Sequence, residues 1–368
     1  MALSRIDTTN MIEDVPQSKL DNNINFRNII INGDMSIAQR GTSVSSLTNS
    51  GYRTCDRWRI TLTSFGTWTA SQDTDVPTGQ GFAKSLKMDC TTANGSLSSN
   101  SIGIIEQRFE GQNLQYLKKG TSSAVSTTVS FWVKSTKTGT FICELDDNDN
   151  TRNINKSYTI SSSDTWEKKT ITFDGDTTGA LGNDNGYSFR LLWWLGAGTD
   201  LSSGTLQTSW GSTVNANRAV GQANIADSTS NNFYITGVQW EAGTTASDFE
   251  FLPVDVNLQR CQRYFQSIGG VNDASIASGM TQNSSGSTFT IHYITTMRSA
   301  PTHAVNDLNI TDNVSYGLSV SSVNALFANN NSSRCNLTHS SGATQYRPCF
   351  LRSSSTASTS RLTLEAEL

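Results

Sequence analysis

Charge is scarce in this chain. Of 368 residues, 27 are Lys or Arg and 31 are Asp or Glu, 16% together, against roughly a quarter in an average soluble protein. The deficit falls on both signs and leaves a net charge of −4. There is no basic stripe of the kind a phosphate backbone requires, which excludes nucleic acid as a partner. Histidine is rarer still, with three residues at positions 292, 303 and 339. They lack zinc-ligand spacing, so no metal residues are assigned. With no histidine before residue 292 and no Gly-x-Ser-x-Gly elbow, a Ser–His–acid triad has no base in the larger part of the chain.

Long apolar runs are also missing. The longest, residues 191–195, is far too short to cross a bilayer, so no membrane insertion is expected. The opening MALSRIDTTNMIED has no basic segment followed by an apolar one, and no secretory leader is expected. The six cysteines (55, 90, 143, 261, 335 and 349) are scattered, with no Cys-x-x-Cys pair. They are expected to be mostly buried free thiols, with a hairpin bridge between Cys335 and Cys349 left open.

Ser, Thr, Asn and Gly take the place of the missing charge, together with 8 Trp, 9 Tyr and 15 Phe. Disorder pairs low hydrophobicity with high net charge and few aromatics, and that combination is absent. Small polar residues occupy turns and the solvent faces of strands, so the composition predicts an all-β protein. The length suits two domains plus an attachment segment.

Residues 1–25 are polar and hold no sustained period, which predicts an extended arm. From residue 26 to 253 short alternating segments follow one another. Val129, Phe131 and Val133 alternate with Ser130, Trp132 and Lys134; Phe189, Leu191, Trp193 and Leu195 alternate with Arg190, Leu192 and Trp194. Repeated period-2 strands with turn clusters between them predict a jelly-roll β-sandwich. Val254, Leu258, Cys261 and Phe265 then fall at helical spacings of 4, 3 and 4. This predicts a short linker helix over 254–270, capped by Asp255 and stopped by Gly269 and Gly270. Residues 271–368 alternate again and predict a second, smaller β-sandwich domain, whose last segment, 361–368, is expected to be packed.

Five motifs recur in a recognisable order: NIIINGDMSIAQRGTS at 28–43, YRTCDRWRI at 52–60, FYITGVQWEAGTTASDFEFLP at 233–253, CQRYFQ at 261–266 and TMRSAP at 296–301. The series resembles bacteriophage tail-fibre and receptor-binding virion proteins with a carbohydrate-binding-module-like jelly roll. The resemblance implies a virion subunit in a tail or other external appendage, usually a homotrimer. It implies attachment to other virion proteins through residues 1–25 and contact with host cell-surface polysaccharide. It also allows a weak structural calcium without naming its ligands, and no other cofactor. The alternatives are a capsid decoration or head-fibre protein without a receptor role, or a polysaccharide-degrading tail spike.

Glycan cleavage needs two carboxylates about 5–9.5 Å apart across a cleft. Glu106, Glu110, Glu144, Glu241 and Glu250 are the candidates, each read first as a surface or turn carboxylate, so no catalytic residue is assigned and the chain is expected not to be an enzyme. Asp146, Asn148 and Asn150 mimic a calcium loop, but Thr151 stands where Gly is required and Ser157 where Glu is, so the segment reads as a hairpin. Sugar binding needs aromatic rings on a solvated sheet face with amides or guanidinium groups beside them. Trp194 shares a face with Arg190, and Trp132 points away from Phe131. Gln107 and Gln239 sit in similar strands as amide donors. For both tryptophans a place in the core is the competing reading.

Overall fold

In the computed structural model, which describes residues 26–271, 274–312, 314, 317–354 and 359–368, the period-2 segments become strands. The expected arm, residues 1–25, lies outside the described residues. The first strands are β1 (Ser43–Leu47), β2 (Gly51–Tyr52), β3 (Arg59–Thr63), β4 (Thr67–Asp73), β5 (Ser85–Thr92), β6 (Ile102–Glu110) and β7 (Thr127–Ser135). They are followed by β8 (Gly139–Asp147), β9 (Arg152–Ile160), β10 (Glu167–Phe173), β11 (Tyr187–Ala197), β12 (Gly211–Ser212) and β13 (Asn232–Ala242). One helical turn, α1 (Thr199–Ser202), follows β11.

These strands form a six-stranded sheet, β1-β4-β5-β13-β7-β10, and a seven-stranded sheet, β12-β9-β8-β11-β6-β3-β2. The chain crosses repeatedly between them: β13 lies between β5 and β7, and β11 between β6 and β8, as jelly-roll winding requires. Alternation sends one set of side chains from each sheet inward. Phe131 of β7 meets Trp193 of β11 at a ring separation of 5.5 Å, and Trp193 meets Trp58 at 5.7 Å. All three are at most 1% exposed, and truncating any one of them removes about 3–5 kcal/mol.

The helix is shorter than its spacing predicts. It is α2 (Val254–Gln262), with Pro253 at its start and no side-chain cap, so Asp255 does not cap it. Phe265 leaves the helical pattern because strand pairing claims it: β14 (Phe265–Gly269) is followed by β15 (Ser275–Asn283), β16 (Gly286–His292), β17 (Thr302–Asn306) and β18 (Leu308–Thr311). The chain then forms β19 (Leu318–Leu326), β20 (Ser332–His339), β21 (Pro348–Ser353) and β22 (Arg361–Glu365). β14 pairs with β22, which also pairs with β17, so Gly269 and Gly270 end a strand, not a helix. The other six strands, β15-β16-β20-β19-β18-β21, close into a barrel. The smaller unit is all-β as expected, but closure around Phe289, Ile291, Leu337 and Leu351 takes the place of two facing sheets. All six cysteines are buried and free. Cys335 and Cys349 stand on β20 and β21, with two strands between them either way around the barrel, and are not bridged.

The recognisable motifs converge where the two units meet. Asn32 adopts a left-handed φ of 59° and its amide donates to the carbonyls of Ile37 and Asp56 at 2.9 and 3.0 Å. A Cβ on the adjoining Gly33 would stand 2.1 Å from the Val238 carbonyl oxygen, so only glycine fits there. Asn257 of α2 accepts from the Asn32 N–H at 3.2 Å. Cys261 and Tyr264 pack on Ile31 and Ile37, so the helix is a packed joint, not a free linker. Arg57, inside the second of these motifs, is 1% exposed. Its positive φ of 71° turns it into an ion pair with Glu367, with its guanidinium 3.5 Å from the Tyr264 ring. Arg40 reaches the same Glu367 at 3.2 Å. Arg361 donates to the carbonyls of Gln39 and Arg40, both at 3.2 Å. The last segment is therefore packed, as its alternation predicts.

Candidate functional site

The five residues proposed for sugar binding do not form one site. Trp194 does lie on the outer face of the seven-stranded sheet, as alternation requires. It is nevertheless fully buried, because α1 and the chain after it place Leu201 and Ala219 over Trp194, Leu192, Ile142 and Ile104. Its indole N–H donates to Glu144 Oε2 at 2.9 Å, so no ring from solvent can stack on it. Arg190, on the same face, is committed to Asp146 at 2.6 Å and Glu106 at 3.0 Å. Gln107 and Gln239 are both fully buried. Gln107 takes the place of a strand partner, accepting from the Ile31 N–H at 2.8 Å and donating to its carbonyl at 2.9 Å. Gln239 accepts from the Glu250 N–H at 2.8 Å and donates to Glu241 Oε1 at 2.8 Å. Both amides satisfy buried polar groups, and neither reaches a ligand.

Trp132 belongs to the opposite layer. It projects from β7 on the outer face of the six-stranded sheet, across from Lys168 of β10 and Thr236 of β13, and is partly exposed. Its indole N–H makes no hydrogen bond among the described residues. Trp166, also partly exposed, continues the β10 register to the position beside Lys134. The Trp166 N–H donates to Asp75 Oδ1 at 2.9 Å, and its ring meets that of Tyr234 edge-on at 6.0 Å. Lys134 stands 4.5 Å and Lys87 5.4 Å from the Tyr234 ring centre. Lys134 also pairs with Asp75, and with Asp164 at 3.2 Å.

Slight burial would lift the Asp75 pKa, but hydrogen bonds from Lys134 and Trp166 outweigh it and hold the carboxyl below its ordinary range. Burial likewise opposes the Lys134 charge, and Asp75 and Asp164 more than offset it, so its pKa is raised. The face therefore offers two indoles with fixed charged donors and acceptors beside them, the chemistry a pyranose ring and its hydroxyls require. Trp166 was legible: Ile171 and Phe173 are core, and period 2 puts Trp166, Lys168 and Thr170 on the other side.

The carboxylates considered for glycan cleavage are all taken up by protein partners. Glu106, Glu110 and Glu144 are fully buried, contrary to a surface or turn placement. Glu106 meets Arg59, Arg190 and Arg108 at 2.8, 3.0 and 3.1 Å. Burial raises its pKa, but the three guanidinium groups outweigh that and lower it. Glu144 pairs with Arg218 at 2.8 Å, yet burial dominates and raises its pKa. Glu110 holds Arg263 through two bonds of 2.7 and 2.8 Å. Glu241 accepts from the Ser247 hydroxyl at 2.6 Å, and Glu250 from the N–H groups of Phe26 and Asn28 at 2.6 and 2.9 Å.

The calcium-like segment is the hairpin between β8 and β9. Beside it, where a hard cation would sit, the Lys119 ammonium is surrounded by four oxygens: Asp147 Oδ2 at 2.5 Å, Gly179 O at 2.8 Å, Thr178 O at 2.9 Å and Asp176 Oδ2 at 3.0 Å. The side chain of Lys119 is only 6% exposed. These oxygens fit a cation, but the lysine supplies the charge and leaves no place for calcium. Among the described residues there is no group of three or more His, Cys, Asp or Glu placed to hold a metal.

No family model matches the chain, and no curated protein matches it. Solved structures similar to it include the enzymatically active domain of bacteriophage CBA120 tailspike protein 4 (12% identity, TM-score 0.32, 59% of this chain and 21% of that one). A putative sugar-binding protein from Bacteroides thetaiotaomicron is similar at 13% identity and a TM-score of 0.33, over 58% of this chain and 99% of that one. The CBM22-1 xylan-binding domain of Paenibacillus barcinonensis Xyn10C is similar at 11% identity and a TM-score of 0.26, over 55% of this chain and 95% of that one. The chain spans about a fifth of the tailspike domain. All three scores lie below 0.5.

Proposed function

We propose that this chain is a bacteriophage virion subunit, a tail fibre or receptor-binding protein, that holds host-surface glycan without cleaving it. The observation that carries the binding role is the outer face of the six-stranded sheet, where Trp132 and Trp166 stand partly exposed beside the Lys134–Asp75 pair. The virion role is supported by the ordered motifs between residues 28 and 301, which fold into the joint between the two units. Binding without hydrolysis is supported by the five carboxylates, each already engaged by protein groups. In this reading the subunit is a homotrimer joined to the particle through residues 1–25. Its weak single sites gain strength by repetition around the particle.

The experiment is a titration of the purified chain against a panel of host-surface polysaccharides, with reducing ends assayed in parallel. Binding of at least one polysaccharide with no rise in reducing ends is expected. Failure to bind any of them overturns the glycan role, and release of reducing ends overturns the non-enzymatic one. Deletion of residues 1–25 is expected to yield soluble protein that does not join particles. Labelled antibody decorating the head of the virion would overturn the tail assignment.

A further inference from the structure

A concavity of about 300 Å³ lies on the joint side of the sandwich, and Phe26, Glu110, Tyr116, Arg260, Arg263 and Tyr264 line it. That volume is at the lower end of the small-molecule range of roughly 300–1,000 Å³. Its wall carries two exposed rings. Phe26 and Tyr116 are 60% and 51% exposed, whereas the core aromatics are hidden.

The charges along the wall are unequal. Arg263 is bound to Glu110 through two hydrogen bonds, and Glu110 also accepts from Tyr264 and Gln112 at 2.5 and 2.6 Å, so that pair is closed. Arg260 has five N–H donors but makes one hydrogen bond among the described residues, to the Asn28 carbonyl at 3.2 Å. No carboxylate among the described residues lies within ion-pairing distance of it. Glu250, which favours its charge from farther off, is held by two main-chain N–H groups. Burial works against the Arg260 charge and lowers its pKa. An unmatched guanidinium on the wall of a pocket that also carries exposed rings is suited to a bidentate carboxylate on a ring-shaped ligand.

We propose that this pocket is a second ligand site, for a carboxylated pyranose such as a uronic or sialic acid unit, with the Arg260 guanidinium taking the carboxylate and Tyr116 the ring. The proposal rests on the glycan-binding role and adds to it a preference for acidic sugar.

The test titrates the full chain with glucuronic acid and with its methyl ester, following the indole and phenol signals. The acid is expected to bind and the ester at least tenfold more weakly. Arg260→Met should abolish binding of the acid and Arg260→Lys should keep part of it. Tyr116→Ala should weaken it several-fold with an unchanged melting temperature; because Tyr116 is exposed, this variant keeps the test sound if Arg260→Met does not fold. Equal binding of acid and ester, or unchanged binding in Tyr116→Ala, overturns the proposal. If binding of the acid is lost in Trp132→Ala and kept in Arg260→Met, the ligand sits on the open sheet face; the pocket then falls while glycan binding stands.

Discussion

Glu367 is the sharpest place to test whether the recognisable motifs act as a joint. It is 4% exposed and the only carboxylate within 4 Å of Arg57 among the described residues, and Arg57 is itself 1% exposed. Arg40, 9% exposed, reaches Glu367 at 3.2 Å. Burial works against the Arg57 charge, and Glu367 more than offsets it, so the pKa of Arg57 is raised. Glu367→Ala therefore strands a buried guanidinium against the Tyr264 ring. Breaking one side of such a pair removes about 3–5 kcal/mol. At roughly 2–4 °C per kcal/mol for a unit of this size, the melting temperature should fall by about 6–20 °C. Glu365 supplies the control: it is 47% exposed and 3.6 Å from Arg40, and Glu365→Ala should change stability by about 0.5 kcal/mol or less. Calorimetry with guanidinium unfolding of both variants measures the difference. Equal stability of the two within about 1 kcal/mol would refute the reasoning.

Lys119→Met should leave the buried Asp147 without its ammonium partner, while Asp176 keeps its two bonds from Arg152 at 2.8 and 2.9 Å, and destabilise the sandwich by about 3–5 kcal/mol. Millimolar calcium should restore part of that loss in the variant and leave the parent unchanged; a variant indifferent to calcium would show that the four oxygens do not form a cation cage. Asp56 has its pKa raised to about 6 by burial, which the nearby Arg40 and Gln39 only partly offset. Its folded value lies above its unfolded one, so its contribution to stability is full below about pH 4 and is lost as pH rises through about 6. Denaturant titrations of Asp56→Asn and parent across pH 4–7 should therefore differ in slope with that sign, and parallel curves would contradict it. Glu106 behaves oppositely, since its pKa is lowered: its stabilisation is present above about pH 4.5 and fades on acidification, so in Glu106→Gln part of the acid-unfolding slope should disappear.

Much of the architecture was legible because alternation is a local signal. Phe131 and Trp193 are core as their strand neighbours imply, and the last strand is packed as its pattern implies. The candidate site was less legible, because exposure depends on distant chain. Trp194 has the right parity and the wrong surroundings, since α1 and Ala219 cover it from residues that carry no local sign of doing so. Gln107 and Gln239 look like ligand amides and serve as backbone partners for segments more than seventy and about ten residues away. The helical spacing through Phe265 gives way to pairing with Glu365 of β22, a hundred residues later. Arg57 has a positive φ and pairs with a carboxylate 310 positions on, which no local pattern signals.

The central claim, glycan held on the open sheet face, is tested most directly by titrating the best-binding polysaccharide against Trp132→Ala, Trp166→Ala and the double variant. Each indole that loses a stacked ring forfeits about 1–2 kcal/mol of buried apolar contact, or roughly tenfold in affinity. The account predicts about tenfold weaker binding for each single variant and about a hundredfold for the pair, with melting temperatures close to the parent. Unchanged affinity in the folded double variant would contradict it.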